Sequence, residues 1–406
     1  MRNSVSIQIS RGTGTASRSL AIVALLLATA ASAGAQAPTD SFTPSGLQPG
    51  SPTGSYPLSG FDTVNLYNGN LDFHLPLLGI GGRGTAGTKM MLGISQKWQV
   101  RTEQFGPDGS IILHIPTPSW WGPSPGYGPG VMAIRAATIS STCYTTLDRL
   151  TFTANDGTEY EFRDLSTQGQ VEPATCSLAG ATTFARGPVW VTADGTSATF
   201  IASAPIPDVI GTGSVVTQGL TGTLKWRDGT SYAIADGRVT SITDRNGNVV
   251  TFQYDNKFSM LVTAINDSLG RNVTIVYADF VNSFSDMITY NGFGGAPRTI
   301  TVNYASSLDQ ALRPDFGTQL PPFTQLFPGL DEDPFFPGVP GVVVVSSLVL
   351  PNGQDYKFQY DYYGELARVV LPTGGAIEYD YTPTGQGIVS GFEIMRRVVA
   401  RRSYKD

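Results

Sequence analysis

The segment Thr243–Tyr277, TDRNGNVVTFQYDNKFSMLVTAINDSLGRNVTIVY, nearly repeats itself after 23 residues. The matched positions are Asp244 with Asp267, Gly247 with Gly270, Val250 with Val273, Phe252 with Ile275 and Tyr254 with Tyr277. The asparagine-glycine pair predicts a tight hairpin turn, because glycine tolerates the positive φ that such turns need. Each unit therefore consists of two short strands joined by turns.

Residues alternate in character along these strands. Val250, Phe252 and Tyr254 share one face, whereas Thr251 and Gln253 share the other, which is the period of two typical of a half-buried strand. A unit of this size cannot bury its aromatic face alone and must stack on its neighbours.

A second pair of units lies further along the chain. LPNGQDYKFQY (350–360) matches LPTGGAIEYDY (371–381) at an offset of 21 residues. From both pairs we predict that the following side chains share the inward side of consecutive strands: Phe252, Tyr254, Ile275, Tyr277, Phe358, Tyr360, Tyr379 and Tyr381. The prolines between the two pairs exclude a central strand there, and we expect that segment to be an excursion packed by its own phenylalanines.

These motifs resemble the YD repeats of RHS-type and teneurin-type proteins. The resemblance is carried by DGRVTSITDRNGNVVTFQYD (236–255) and ELARVVLPTGGAIEYDY (365–381), and by SGFDTVNLYNGNLDFHLPL (59–77), which looks like the segment that opens the repeats of bacterial RHS proteins. The resemblance implies a β-sheet spiral that coils into a hollow shell, which in bacterial members encloses a C-terminal toxin released by a self-cleaving segment. Only four or five units are visible here, and no self-cleaving segment is matched, so we expect the N-terminal portion of a larger protein or a truncated reading frame.

The predicted fold class is therefore all-β, with a β-sandwich-like N-terminal region followed by a YD-repeat β-sheet spiral that forms a partial shell. The predicted divisions are a signal peptide (1–35), a flexible leader (36–60), a β-rich N-terminal domain (61–215), YD repeats (216–306), a Pro/Phe-rich insertion (307–344) and further YD repeats, truncated, (345–406).

The first residues have the order of an export signal. Arg2, Arg11 and Arg18 precede the apolar run LAIVALLLATA (20–30), and small residues that suit cleavage after Ala35 follow. The run is too short to span a bilayer, which takes roughly 20 residues, and no later segment is apolar enough. Without the three arginines, 23 basic residues face 32 acidic ones, a net charge of −9 that argues against a nucleic-acid partner. We predict a secreted or cell-surface protein.

The chain has two cysteines, Cys143 and Cys176. In an exported protein such a pair favours a disulfide. The bond would close a loop and stabilise the folded chain by roughly 3–4 kcal/mol in the chain-entropy model. Two buried free thiols are the alternative.

Catalytic signatures are sparse, and we expect no catalytic residues, metal or cofactor. His74 and His114 each lie in an alternating strand and lack metal-ligand spacing. Asp244, Asp255 and Asp267 are expected to initiate turns, and Asp331–Asp333 to form a solvated acidic loop, with Ca²⁺ binding as the alternative. The best binding candidates are Trp120, Trp121 and Tyr127 in a proline-rich loop, because exposed aromatic faces bind sugars and proteins. The alternative is that the rings plug one end of the β-domain.

The sequence thus predicts an exported scaffold with a structural and interaction role and a protein or glycan partner. A carbohydrate-binding surface protein is the first alternative, and a secreted glycan-active hydrolase is the second. The final strand, near VVARRSYKD (398–406), is expected to be a bare sheet edge prone to self-association.

Overall fold

The computed structural model describes residues 55–57, 61–65, 69, 71–81, 84–94, 98–105, 111–118, 126–137, 145–166, 185–193, 195–207, 209–211, 215–216, 220–256, 259–334, 342–383, 388–390 and 393–405. All of them belong to one compact unit, Ser45–Asp406.

Nearly all regular structure in these residues is β-strand, as the sequence predicts. The strands are β1 (Ser55–Pro57), β2 (Asp62–Asn65), β3 (Leu71–Gly81), β4 (Gly87–Ile94), β5 (Trp98–Phe105), β6 (Ile111–Pro118), β7 (Gly130–Ala137), β8 (Thr145–Ala154), β9 (Glu159–Asp164), β10 (Val189–Thr192), β11 (Thr199–Ala202), β12 (Val209–Gly211), β13 (Val215–Val216), β14 (Gly222–Lys225), β15 (Ser231–Ala235), β16 (Arg238–Thr243), β17 (Val249–Tyr254), β18 (Val262–Asp267), β19 (Asn272–Val276), β20 (Ser285–Asn291), β21 (Pro297–Ala305), β22 (Val344–Val349), β23 (Asp355–Tyr360), β24 (Leu366–Val370), β25 (Ala376–Tyr381), β26 (Ile388–Ser390), β27 (Glu393–Met395) and β28 (Val398–Tyr404). Short 3₁₀ turns cover Phe293–Gly295, Leu308–Ala311 and Pro314–Phe316, and one α-helical turn, α1, covers Phe323–Leu326.

One antiparallel sheet contains most of these strands. It runs from β7 through β8, β9, β10 and β11 to β14, and then continues strand by strand to β25 and β28. β16 also meets β7, where Arg238 pairs with Val131, so the first part of the sheet closes on itself.

Strands β7–β13 of the N-terminal region belong to the same sheet as the repeats. β11 pairs directly with β14, with Phe200 opposite Leu224, so the sheet is continuous across residue 215. The physical reason is that β14, as the first strand of the repeats, would otherwise expose unpaired backbone groups along one side. Pairing with β11 satisfies these groups.

The period-two prediction for the repeats is confirmed. Phe252 and Phe358 are 5% and 2% exposed, while Gln253 between two inward residues is exposed. The other six predicted side chains, Tyr254, Ile275, Tyr277, Tyr360, Tyr379 and Tyr381, are buried or half-buried in the same core. We call this side of the sheet the inner face.

A second, four-stranded sheet packs against the inner face. It has the order β1–β2–β3–β4, and we call it the inner sheet. Phe73 of β3 is fully buried and meets Phe358 edge-to-face, with 5.9 Å between ring centroids. Burial of such a ring contributes about 1.5–3 kcal/mol, so the inner sheet and the repeats share one core.

A third sheet, in the order β26–β27–β5–β6, packs against the excursion between the two repeat pairs. Trp98 of β5 is 2% exposed and lies 4.7 Å from the Phe327 ring and 6.1 Å from the Phe323 ring. Tyr363 completes this cluster. The phenylalanines of the excursion do pack on one another, as the sequence predicts, and a tryptophan from a distant strand packs against both of them.

The main sheet has two edges formed by turns. The turns after β14, β16, β18, β20, β22 and β24 lie at one edge, the first rim, and the opposite ends of these strands form the second rim. Glycine is required in the first-rim turns, since Gly247 and Gly270 have φ of +82° and +74°.

At the C-terminal end, β28 pairs with β25 from Ala376 to Tyr381. The sequence predicts a bare edge here, yet the amide of Val398 donates a hydrogen bond to the Gly69 carbonyl, 2.9 Å away. Gly69, between β2 and β3 of the inner sheet, therefore pairs with the first residue of this strand.

Candidate functional site

The turn aspartates act on the backbone. The Asp244 carboxylate accepts hydrogen bonds from the amides of Asn246 and Asn248, and Asp267 accepts from the amides of Leu269 and Arg271. The side-chain amide of Asn248 holds the pKa of Asp244 at about 2, so this carboxylate is ionised at neutral pH. The turn-initiating role predicted for these two residues is confirmed by their contacts.

A recurring hydrogen bond joins the two strands within a repeat hairpin. Each of four tyrosine hydroxyls donates to a backbone carbonyl fifteen residues earlier. The pairs are Tyr254 to Val239 (2.9 Å), Tyr277 to Val262 (3.0 Å), Tyr360 to Val345 (2.7 Å) and Tyr381 to Leu366 (2.9 Å). We call this set the tyrosine ladder. It explains why the repeat keeps tyrosine at this position, because phenylalanine would fill the same space without donating.

A fifth tyrosine, Tyr304, does not donate to a backbone carbonyl but to a buried carboxylate. Asp286 is 1% exposed and accepts from the hydroxyls of Tyr127 (2.6 Å) and Tyr304 (2.7 Å) and from the amide of Ala278 (2.8 Å). Burial, reinforced by the neighbouring carboxylate, raises the pKa of both phenols well above the ordinary value, so they remain donors.

Tyr127 therefore does not have the exposed position that the sequence suggests. Its side chain is 2% exposed, and its ring stacks on Tyr277 with 5.7 Å between centroids and 13° between planes. A buried carboxylate needs hydrogen-bond donors. Tyr127 donates to Asp286, and its ring is therefore buried at the second rim. Trp120 and Trp121, the other two candidates, lie outside the described residues, as do Cys143 and Cys176.

A second buried charge cluster holds the end of the repeats. The Arg396 guanidinium donates to the carboxylates of Asp361 and Glu365 and lies 3.9 Å from the centre of the Tyr363 ring. Burial raises the pKa of Glu365 well above its usual range, with Asp361 adding to the effect and Arg396 opposing it. Asp361 and Glu365 are 3% and 8% exposed, so this carboxylate pair has little contact with solvent.

A third charged contact fixes the inner sheet. The Asp62 carboxylate, 0% exposed, accepts from the Tyr379 hydroxyl at 2.7 Å and from Arg401 Nε at 2.8 Å. These partners lie on β25 and β28, so one carboxylate joins the first part of the unit to the last. We call it the Asp62 latch.

The remaining candidates from the sequence have structural contacts. Asp331 accepts from the His114 amide at 2.7 Å and donates its own amide to the His114 carbonyl, which covers the edge of β6 at that residue. Asp333 pairs with Arg101 at 3.0 Å. Across the part of the chain that the structure describes, no three His, Cys, Asp or Glu side chains are grouped as a metal site.

Sequence reasoning missed Asp62, Asp286, Glu365 and Arg396 as members of buried networks. Asp62 lies inside the quoted FDTVN motif, but its partner is 339 residues away. The ladder had a sequence signal in the recurring tyrosine, although its acceptors are backbone carbonyls and leave no trace in residue type. What these sites do chemically is to hold charges and hydroxyls in fixed positions between strands.

A continuous antiparallel sheet built from hairpins with recurring turn and tyrosine positions defines an all-β repeat protein. Residues 235–274 match the family model described as RHS Repeat, which confirms that this segment is an RHS/YD-type repeat. No protein of curated description matches the chain.

Among solved structures, a porin-like protein from Bacteroides uniformis aligns with 69% of this chain and 100% of its own, at 12% identity and a TM-score of 0.25. A score that low supports no argument about fold or function. Among the described residues, no helix has the length and apolar character needed to cross a membrane.

Proposed function

We propose that this chain is an exported RHS/YD-repeat scaffold with a structural and interaction role, and part of a larger shell-forming or toxin-delivery protein. The observation that supports the scaffold role most directly is the tyrosine ladder. Each of its bonds joins the two strands of one hairpin, from a side-chain hydroxyl to a backbone carbonyl. The bond adds to the sheet hydrogen bonds, so the hairpin is held in one register.

The filled inner face also supports a scaffold. Phe73 and Asp62 of the inner sheet occupy positions against Phe358 and Tyr379 of the repeats. This stretch of repeats is thus packed by its own N-terminal sheet, and contacts to a partner are left to the rims and the outer surface.

The scaffold role is tested by equilibrium unfolding of the full chain, followed by tyrosine fluorescence and by far-UV circular dichroism. A rigid scaffold predicts one transition, coincident in both signals. Separate transitions for the inner sheet and the repeats would contradict it. A hit on a sugar array would favour the carbohydrate-binding alternative, and turnover in a broad hydrolase screen would favour the enzyme.

Export and the disulfide are part of the same proposal. The basic, apolar and small residues of the first 37 positions support export, and N-terminal sequencing of secreted material should begin near Gln36. Thiol alkylation with intact-mass measurement should label Cys143 and Cys176 only after reduction. Retention of Met1 on a cytoplasmic protein would refute export, and two labelled thiols in the native protein would refute the disulfide.

A further inference from the structure

Two large apolar side chains protrude from turns of the first rim. Phe293, in the turn between β20 and β21, is 103% exposed, and Leu269, in the turn between β18 and β19, is 48% exposed. Glycines surround the phenylalanine, and a Cβ built on Gly294 or Gly295 would have no heavy atom within 4 Å. Phe293 therefore projects into open space at the tip of a bare turn.

The two turns lie side by side. Val273 pairs with Tyr290, and Tyr290 pairs with Arg298, so three strands reach the first rim in register. Leu269 and Phe293 thus point from the same edge of the same sheet, at neighbouring hairpins.

The charges exposed at these turns are positive. Arg245 and Arg271 are exposed on two successive first-rim turns, and Arg298 is exposed near the start of β21, beside the next turn. The Arg271 side chain is 57% exposed even though it is paired with Asp267. The acids beside them, Asp244 and Asp267, are buried with their carboxylates bonded to the backbone. The flanking turn between β14 and β15 carries the adjacent pair Arg227 and Asp228, and Asp355 begins β23 after the other flanking turn. The three unbalanced arginines stand out on a chain of net charge −6.

We propose that the first rim docks on an anionic lipid surface through Arg245, Leu269, Arg271, Phe293 and Arg298. The two apolar side chains enter the acyl boundary, and the guanidinium groups contact the headgroup phosphates. This pairing of inserted apolar groups with flanking cations is how peripheral proteins bind anionic membranes. A fluid bilayer suits the geometry, because Phe293 stands on a convex tip without the surrounding apolar wall that a protein pocket would contact.

The test is co-sedimentation of the full chain with phosphatidylcholine vesicles that contain or lack phosphatidylglycerol. Binding is expected to the anionic vesicles and to weaken with added salt, since exposed charges are screened. The variant Phe293→Ser should lower the partition coefficient roughly tenfold or more, because a phenyl ring no longer leaves water. Arg298→Gln should reduce binding to anionic vesicles and leave the melting temperature unchanged.

The matched control is Val281→Ser, which removes an apolar side chain that is 81% exposed at the second rim. All variants share the same N-terminus, so binding through the apolar run of residues 20–30 would be equal in each. The proposal is overturned if wild type fails to bind anionic vesicles, or if Phe293→Ser and Val281→Ser bind alike. It is also overturned if Phe293→Ser abolishes self-association in light scattering while vesicle binding stays unchanged, which would assign the tip to a protein contact.

Discussion

Replacing Tyr360 with phenylalanine removes one hydroxyl from the tyrosine ladder and leaves the ring in place. Tyr360 is 1% exposed, its acceptor residue Val345 is 4% exposed, and the bond between them is 2.7 Å long. Loss of the donor leaves a buried carbonyl with one partner fewer, which costs about 1–3 kcal/mol. We therefore expect Tyr360→Phe to lower the free energy of unfolding by that amount.

The control is Tyr290→Phe. Tyr290 is half-buried on β20, and its hydroxyl has no hydrogen-bond partner among the described residues. A change without a named mechanism should stay within about 0.5 kcal/mol. Urea unfolding of both variants measures the difference at equal m-value. If Tyr360→Phe cost no more than Tyr290→Phe, the ladder would contribute nothing to stability.

Three further predictions concern the core and the charged clusters. Phe252→Ala should lower the free energy of unfolding by about 3–5 kcal/mol, because it leaves a cavity at a buried site. Gln253→Ala, on the exposed face, should change it by no more than about 0.5 kcal/mol. Equal losses of stability in urea unfolding would contradict the assignment of faces. Arg401→Ala takes a donor from the buried Asp62 carboxylate and should cost about 1.5–3 kcal/mol. Arg402→Ala breaks only an exposed ion pair and should cost less. The reverse order of the two losses in urea unfolding would be incompatible with the Asp62 latch. The pKa of Glu365 is higher in the folded chain than in the unfolded one. The stability that the protonated Glu365 contributes is therefore complete below the ordinary pKa of 4.5 and is lost as pH rises toward the folded pKa. Glu365→Gln should flatten this decline of melting temperature with pH, and an unchanged decline would mean that Glu365 is ionised in the folded protein.

The repeat hairpins could be predicted from the sequence because their determinants are local. Gly247 must take a positive φ, and the alternation around Phe252 chooses the inward face without knowledge of the partner. The same logic placed the turn aspartates correctly. These features depend on residues only a few positions apart.

The remaining contacts are not local, and the sequence does not contain their geometry. Asp62 and Arg401 approach only because the inner sheet packs within the repeats. Trp98 meets the excursion for the same kind of reason, after more than 200 intervening residues. The sequence leaves the position of Tyr127 open, because a tyrosine in a proline-rich loop looks identical whether it is exposed or paired with a buried carboxylate.

Native-state hydrogen exchange tests most directly whether the inner sheet and the repeats form one block. The amides of β3 and β4 should exchange as slowly as those of β17 and β18, at the rate set by global unfolding, because the strands share one core. Arg401→Ala should accelerate the two groups together. Fast exchange confined to β3 and β4, with the repeats still protected, would show that the inner sheet opens independently and would contradict the account.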